Sequence, residues 1–165
     1  MTRSIFYYIL LLNIAFLQTS CNSTATEDRE ISIGFSQSVG NDLWRVSMNH
    51  AMEVETSLHP NVNLTIYNAH QQAKKQILDI EKFIDNKVDV IIISPFESDS
   101  IVPVIEKAKA KGIPVILIDR KANTTNYTTY IGADNIEVGR LAGKHVAASS
   151  KGTATVIEIS GDYTT

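Results

Sequence analysis

The feature that most constrains the fold is the run over residues 88–94, which reads Val-Asp-Val-Ile-Ile-Ile-Ser. A β-branched and nearly continuous apolar run is typical of a strand in a parallel sheet, where helices cover both faces. The preceding residues 71–86 have the apolar periodicity of an amphipathic helix, with Ile77 and Ile84 on one stripe. Together the two segments predict a buried central strand beside a covering helix.

Strand and helix patterns alternate along the rest of the chain. The segments predicted as strands are 31–35, 62–67, 88–94, 115–118, 127–131 and 154–160. The helical segments between them are 42–58, 71–86, a helix that ends at residue 111, and 135–150. Ser98 or Ser100 is expected to cap the third helix, and Pro103 is tolerable in its first turn. Because helical crossovers join parallel strands, the sequence predicts an α/β fold, an open parallel sheet with helices on both faces.

Residues 1–20 have the pattern of an export signal. Arg3 provides a cationic start, and the apolar stretch 5–17 would span only about 20 Å as a helix, which is too short for a membrane core of ~30 Å. Cys21 is the one cysteine of the chain and follows small residues, so it resembles the lipidated cysteine of a bacterial lipoprotein signal. Cleavage at a nearby site and an uncleaved signal anchor are the alternatives.

The remainder is predicted to be one domain. A chain of 165 residues, 44% of them apolar, suffices for one compact domain. Residues 21–30 are polar and rich in Ser, Thr and acids, and they are predicted to link the signal to a domain over 31–165. The sequence stops shortly after the strand over 154–160, where a loop and a covering helix should follow. We therefore expect the domain to be the front portion of a longer protein.

Composition and motifs argue against several function classes. The net charge is −3 and no basic run is present, which disfavours nucleic-acid binding. No G-x-G-x-x-G or Walker A run follows the first strand, and the four histidines lack the spacing of a metal site. No G-x-S-x-G elbow is present and Cys21 lies outside the fold, so no catalytic nucleophile is visible. We predict a protein without catalysis, cofactor or metal ion.

Polar residues follow the predicted strands, at the edge where open parallel sheets bind their ligands. The segments concerned are 36–44, 68–70, 94–98, 119–121 and 132–135. They include the adjacent residues Asp119 and Arg120 and the only tryptophan, Trp44. A structural ion pair is the alternative role for Asp119 and Arg120, and core packing is the alternative for Trp44.

Several runs of the chain occur together in the order and spacing of one family. They are ISIGFS at 31–36, DVIIISPFESDSI at 89–101, GIPVILIDRK at 112–121, YIGADN at 130–135 and GRLAG at 139–143. By these runs the chain resembles the N-terminal lobe of type I periplasmic binding proteins, the ribose-binding group especially, and the resemblance stops before the second lobe. The runs IGFSQ, NDLWR and KKQILDIEKFI add a closer likeness to the periplasmic sugar-sensing domains of hybrid two-component sensors.

The resemblance implies a flavodoxin-like lobe that binds a monosaccharide against a second, hinged lobe. By position, Asp119 would accept hydrogen bonds from sugar hydroxyls and Arg120 would donate to them. Trp44 would stack on a sugar face, while Leu43 stands where the family has a second stacking aromatic residue. The other implied ligand-binding residues are Asn41, Ser36, Gln37 and Ser94.

The resemblance also implies a place and an output. The place is the periplasm or cell envelope, with attachment to the membrane through Cys21 or a signal anchor. The protein would be the solute-binding component of a sugar importer, with a permease as its partner. The alternative is the ligand-sensing periplasmic domain of a hybrid two-component histidine kinase that regulates carbohydrate use. An enzyme would need a catalytic pair at the edge, and a transcription regulator would need a DNA-binding segment where the export signal stands.

Overall fold

The computed structural model describes residues 29–159. Its elements in chain order are β1 (Ile31–Gln37), α1 (Leu43–Ser57), β2 (Val62–Asn68), α2 (Ala73–Asp85), β3 (Val90–Ser94), α3 (Val102–Ala110), β4 (Val115–Ile118), β5 (Thr129–Ile131) and α4 (Asn135–Ser149). The predicted alternation of strands and helices is confirmed as far as residue 150. The predicted export signal, Cys21 and most of the linker lie outside the described residues.

All five strands form one parallel sheet in the order β2-β1-β3-β4-β5. The central strand β1 pairs with both β2 and β3, and at its end Gln37 stands opposite Asn68 on one side and Ser94 on the other. The carboxyl ends of three neighbouring strands are therefore level. This register confirms the predicted open parallel sheet and brings the loops after these strands to one edge.

One face of the sheet carries the hydrophobic core. Ile91 and Ile93 of β3 are fully buried, as the continuous apolar run predicts. The core residues that pack with them from the helices and from β4 are Ile80, Phe83, Ile84, Val104, Ile105, Val115 and Leu117. Phe83 also stacks on Tyr67 of β2, with ring centroids 4.9 Å apart. Helices α2 and α3 thus cover this face.

Helix α1 lies on the opposite face. Residues Met48 and Met52 of α1 and residues Ile33, Leu64 and Ile92 of the sheet line a shallow apolar groove of about 360 Å³. No residue of α1 is fully buried, so this face is covered less completely than the core face. The sheet therefore carries helices on both faces, as predicted.

The start of α3 differs from the prediction that Ser98 or Ser100 caps it. The N-cap position is Ile101, whose side chain cannot cap, although Pro103 does lie in the first turn. The Ser98 carbonyl instead accepts a hydrogen bond from the Asn123 N–H at 2.8 Å. This bond ties Ser98 to the β4–β5 connection and keeps it out of the helix.

The segment after β5 does not join the sheet. Helix α4 is capped by Asp134, whose carboxylate accepts from two backbone N–H groups, yet none of its residues is buried. The strand predicted over 154–160 is wrong for its described residues, because 153–159 form no strand and Ile157 and Ile159 are almost fully exposed. Apolar alternation predicts strand propensity only, and a strand also requires a neighbour to pair with. Within 29–159 no helix is long and apolar enough to cross a membrane.

Gly34 is required where β1 passes under α2. A Cβ at this position would lie 2.5 Å from Cγ of Phe83, well inside van der Waals contact. We expect Gly34→Ala to lower the free energy of unfolding of the complete protein by about 1–3 kcal/mol, the usual range for overpacking. Urea unfolding followed by circular dichroism measures this. Phe83→Leu removes the ring atoms concerned, so the loss caused by Gly34→Ala should be smaller in a Phe83→Leu background, and an equal loss would contradict the account.

Asp89 links the amino ends of β1 and β3. Its Oδ2 accepts from the Ser32 N–H and from the Ser32 hydroxyl, each at 2.8 Å, and it forms an ion pair with Arg29. The Ser32 N–H, then its hydroxyl, and further the Arg29 charge hold the pKa of Asp89 below its ordinary value of 3.8. Since a lowered folded-state pKa favours the ionised form, this stabilisation is present above pH 3.8 and is lost as the pH falls through the folded pKa.

We expect Asp89→Asn to lower the midpoint of thermal unfolding at pH 7 and to have a shrinking effect below about pH 4. Ser32→Ala, which removes the hydroxyl but leaves the N–H, should cause a smaller loss over the same pH window. Thermal unfolding between pH 3 and pH 7 measures both variants. If the unfolding midpoint of Asp89→Asn stays below that of the wild type by the same amount down to pH 3, the ionised carboxylate of Asp89 does not stabilise the fold.

Candidate functional site

Loops from three strands meet at the carboxyl edge of the sheet. The connection after β1 runs into α1, while the segments after β3 and β4 lie beside it, because Gln37, Ser94 and their neighbours are level in register. A hollow of about 730 Å³ opens at the β4 end of this edge. Its polar lining residues are Ser98, Asp119, Arg120, Lys121, Asn123, Tyr130, Asp134 and Asn135. The predicted ligand-binding edge therefore contains a polar concavity.

Asp119 follows β4 in an unusual backbone conformation. Its φ is +67°, in the left-handed region that is unfavourable for most residues but which Asp tolerates better. The Asp119 N–H donates to the Ile131 carbonyl at 2.9 Å, and the Asp119 carbonyl accepts from the Tyr130 hydroxyl at 2.8 Å. These two bonds to β5 hold the turn and direct a carboxylate that is about one-third exposed (31%).

Arg45 is a component of the site that the sequence reasoning missed. Its Nη2 donates to Oδ2 of Asp119 at 3.0 Å, and its Nη1 donates to Oδ2 of Asp42 at 3.1 Å. The side chain is only 11% exposed, and its Nε is buried without a partner in the described part of the protein. One guanidinium therefore joins the start of α1 to the end of β4.

Asp42 explains why Arg45 reaches this place. Asp42 is the N-cap of α1, and its carboxylate accepts from the Arg45 N–H at 2.9 Å. This backbone bond, together with the Arg45 guanidinium, lowers the pKa of Asp42. A capping Asp followed three residues later by Arg, directly after the tryptophan, is the sequence signal that could have identified Arg45.

Trp44 lies next to this charged cluster and is 54% exposed, so the alternative that it packs in the core is wrong. The Arg45 guanidinium carbon is 5.5 Å from the centroid of a Trp44 ring. The preceding residue, Leu43, is 82% exposed, and Asn41 is exposed as well. Arg45 thus contacts both the exposed ring of Trp44 and the partly exposed carboxylate of Asp119, while its own side chain is mostly buried.

Arg120 points its guanidinium toward the neighbouring loop. Its Nη1 donates to the Phe96 carbonyl at 3.4 Å, and the residue is partly exposed at the hollow. The predicted adjacent pair Asp119 and Arg120 is therefore brought to one concavity, while the ion pair of the Asp119 carboxylate is made with Arg45.

Ser36, Gln37 and Ser94 lie beneath the edge and are fully buried. Gln37 Nε2 donates to Oδ1 of Asn49 on α1 at 3.2 Å. The Ser36 hydroxyl, the Gln37 Oε1 and the Ser94 hydroxyl have no hydrogen-bond partner in the described protein. Burial places these side chains behind the exposed residues of the edge, and a ligand-binding role for each of them stays a prediction.

Among residues 29–159 no group of three or more His, Cys, Asp or Glu side chains is arranged to hold a metal ion. The groups at this edge include the Asp119 carboxylate and the Arg120 guanidinium, which form hydrogen bonds, and the exposed ring of Trp44.

Comparison with known proteins places the chain in one family. Residues 33–165 match the family described as the periplasmic binding protein domain. The ribose import binding protein RbsB of Bacillus subtilis is 32% identical in an alignment of 162 residues, and the match covers 93% of this chain and 52% of that protein. The galactofuranose-binding protein YtfQ of Escherichia coli is 30% identical in an alignment of 135 residues, and the match covers 79% of this chain and 42% of that protein.

Solved structures give the same result. The fructose-binding periplasmic domain of the hybrid two-component system BT1754 is 42% identical with a TM-score of 0.69, and the match covers 74% of this chain and 40% of that one. The periplasmic binding protein of the arabinose ABC transporter from Shewanella sp. ANA-3 is 31% identical with a TM-score of 0.66, covering 73% and 40%. The chain spans about half the length of the curated relatives it matches. The resemblance inferred from the sequence is confirmed, and the chain belongs to the periplasmic binding protein family.

Proposed function

We propose that the complete protein binds a monosaccharide at the carboxyl edge of this sheet, without making or breaking a covalent bond, and delivers it to an importer. The observation that carries the proposal is the exposed Trp44 ring beside the Asp119 carboxylate, which the Arg45 guanidinium holds at this edge. The relatives of this chain support a monosaccharide as the ligand, since they are named for ribose, galactofuranose, fructose and arabinose.

The chemistry of a sugar ring matches these groups. A ring has hydroxyls around its edge and C–H groups on its faces. The Asp119 carboxylate accepts from hydroxyls and the Arg120 guanidinium donates to them, and each such charge-assisted bond contributes about 1.5–3 kcal/mol. The mostly buried Arg45 holds the Asp119 carboxylate in place through its ion pair. The exposed ring of Trp44 covers a C–H face without requiring a hydrogen bond. Asn41 is exposed at the same edge and is proposed to donate to a further hydroxyl.

A sensory role is the second candidate function, and sequence identity to a sensor domain favours it. The match to the periplasmic domain of a hybrid two-component system has the higher identity, 42%, against 32% for the ribose import protein. In this alternative, sugar binding closes two lobes and biases a kinase across the membrane. Both outputs place the domain in the periplasm, and attachment through Cys21 is proposed for the importer component.

Binding by the complete gene product tests the ligand class. Isothermal titration calorimetry against ribose, xylose, arabinose, galactose and fructose should identify at least one sugar with clear affinity. Asp119→Asn should weaken binding of that sugar about 10- to 100-fold, because a charge-assisted bond worth about 1.5–3 kcal/mol is lost. Trp44→Ala should weaken it as well, and Trp44→Phe should recover part of the loss.

Asp85→Asn is the matched control, because this carboxylate is exposed at the end of α2 that leads to the amino end of β3. It should leave the affinity unchanged. Equal binding by the wild type and by Asp119→Asn, or no binding of any sugar by the folded complete protein, would contradict the proposal.

The 165-residue chain alone is a separate test of how the binding energy is distributed. It spans about half of its curated relatives, so it supplies contacts to one side of a bound sugar. Contacts on one side rarely exceed the cost of immobilising a ligand, and we expect roughly millimolar affinity or weaker. Micromolar binding in the calorimeter by this chain alone would show that one lobe suffices.

A further inference from the structure

Gln76 is a fully buried polar side chain of α2 at the same edge of the sheet. Its Nε2 donates to the Ser94 carbonyl at 2.9 Å and lies 3.5 Å from the Ser36 carbonyl. Its Oε1 accepts from the Phe96 N–H at 2.8 Å. One side-chain amide therefore joins the end of β1, the end of β3 and the loop that follows β3.

The loop held by Gln76 is the loop that contacts Arg120. The Phe96 N–H is bonded to Gln76, and the Phe96 carbonyl accepts from Nη1 of Arg120 at 3.4 Å. Phe96 is thus held on one side by a buried amide and on the other by the arginine at the hollow. Any shift of this backbone moves one hydrogen-bond acceptor of the Arg120 guanidinium.

The side-chain amide of Gln76 provides both a donor and an acceptor for these partners. The two carbonyls need a donor, and the Phe96 N–H needs an acceptor. A carboxylate at this position would keep the acceptor and lose the donor, and an apolar side chain would lose both. Because the site is buried, each lost partner leaves a polar group without compensation from water.

We propose that Gln76 is a positioning residue, which fixes the Phe96 backbone and through it the orientation of Arg120 toward the sugar. The inference rests on the proposed function, because it assigns a purpose to the guanidinium of Arg120. Gln76 is fully buried and cannot touch the ligand itself. Its effect on binding must therefore pass through the loop after β3.

A double-mutant cycle on the complete gene product tests this coupling. Gln76→Met keeps the length of the side chain and removes both hydrogen-bonding functions. We expect Gln76→Met to weaken binding of the preferred sugar about tenfold in the wild-type background and less than about twofold in an Arg120→Ala background. Additive losses would overturn the inference. Should Gln76→Met not fold, Gln76→Glu is the second variant. Because it keeps the acceptor for the Phe96 N–H, it should weaken sugar binding less than about twofold, and a tenfold loss in the folded variant would overturn the inference.

Ile80→Val separates positioning from general destabilisation. Ile80 is one turn further along α2 and is also fully buried, but it belongs to the apolar core. This variant should lower thermal stability and leave the sugar affinity unchanged. If Ile80→Val weakens binding as strongly as Gln76→Met, the effect of Gln76 is only structural.

A measurement without sugar keeps the inference independent of the ligand. In ¹⁵N NMR spectra of the sugar-free protein, the side-chain Nε–H signal of Arg120 should shift in Gln76→Met and stay in place in Ile80→Val. No shift in Gln76→Met would overturn the positioning role. A shift in a protein that binds no sugar would confirm the link between Gln76 and Arg120 and refute the proposed function of the site.

Discussion

The alignment of β1 with both of its neighbours is the constraint on which the site depends. Gln37 stands opposite Asn68 and Ser94, so the strands β1, β2 and β3 end at the same level and the loops that follow them lie side by side. A shift of one residue would turn every side chain of a strand to the other face. Gly34 and Phe83 work against such a shift, since only a residue without a side chain fits beneath the ring.

Charges at the edge hold loops that are distant in sequence. Arg45 connects Asp42, the N-cap of α1, with Asp119, the residue after β4. Asp119 lies 74 positions after Arg45 in the chain. Gln76 performs a similar task with neutral groups inside the protein. The polar surface is therefore supported by a guanidinium from the helix on one face of the sheet and by an amide from the helix on the other.

Much of this arrangement was predictable from the sequence, and the exceptions have physical reasons. The continuous run that contains Ile91 and Ile93 predicts a buried strand because burial on both faces leaves no position for a polar residue. The end of a parallel strand predicts where Asp119 and Arg120 lie. Arg45 was missed because its bond to Asp119, 74 positions away, forms only in three dimensions, although its spacing from Asp42 is visible in the sequence. The strand expected over 154–160 was wrong because local pattern cannot supply a pairing partner.

The left-handed backbone at Asp119 narrows what evolution can place there. Among side chains, Asn and Asp tolerate this conformation best, and glycine adopts it freely. Two of these three residue types carry a side-chain oxygen that accepts hydrogen bonds, so the residues that fit this turn overlap with those that the proposed recognition of hydroxyls requires. Exchanges among these residue types would keep the path of the backbone and change only the hydrogen-bonding groups at this edge.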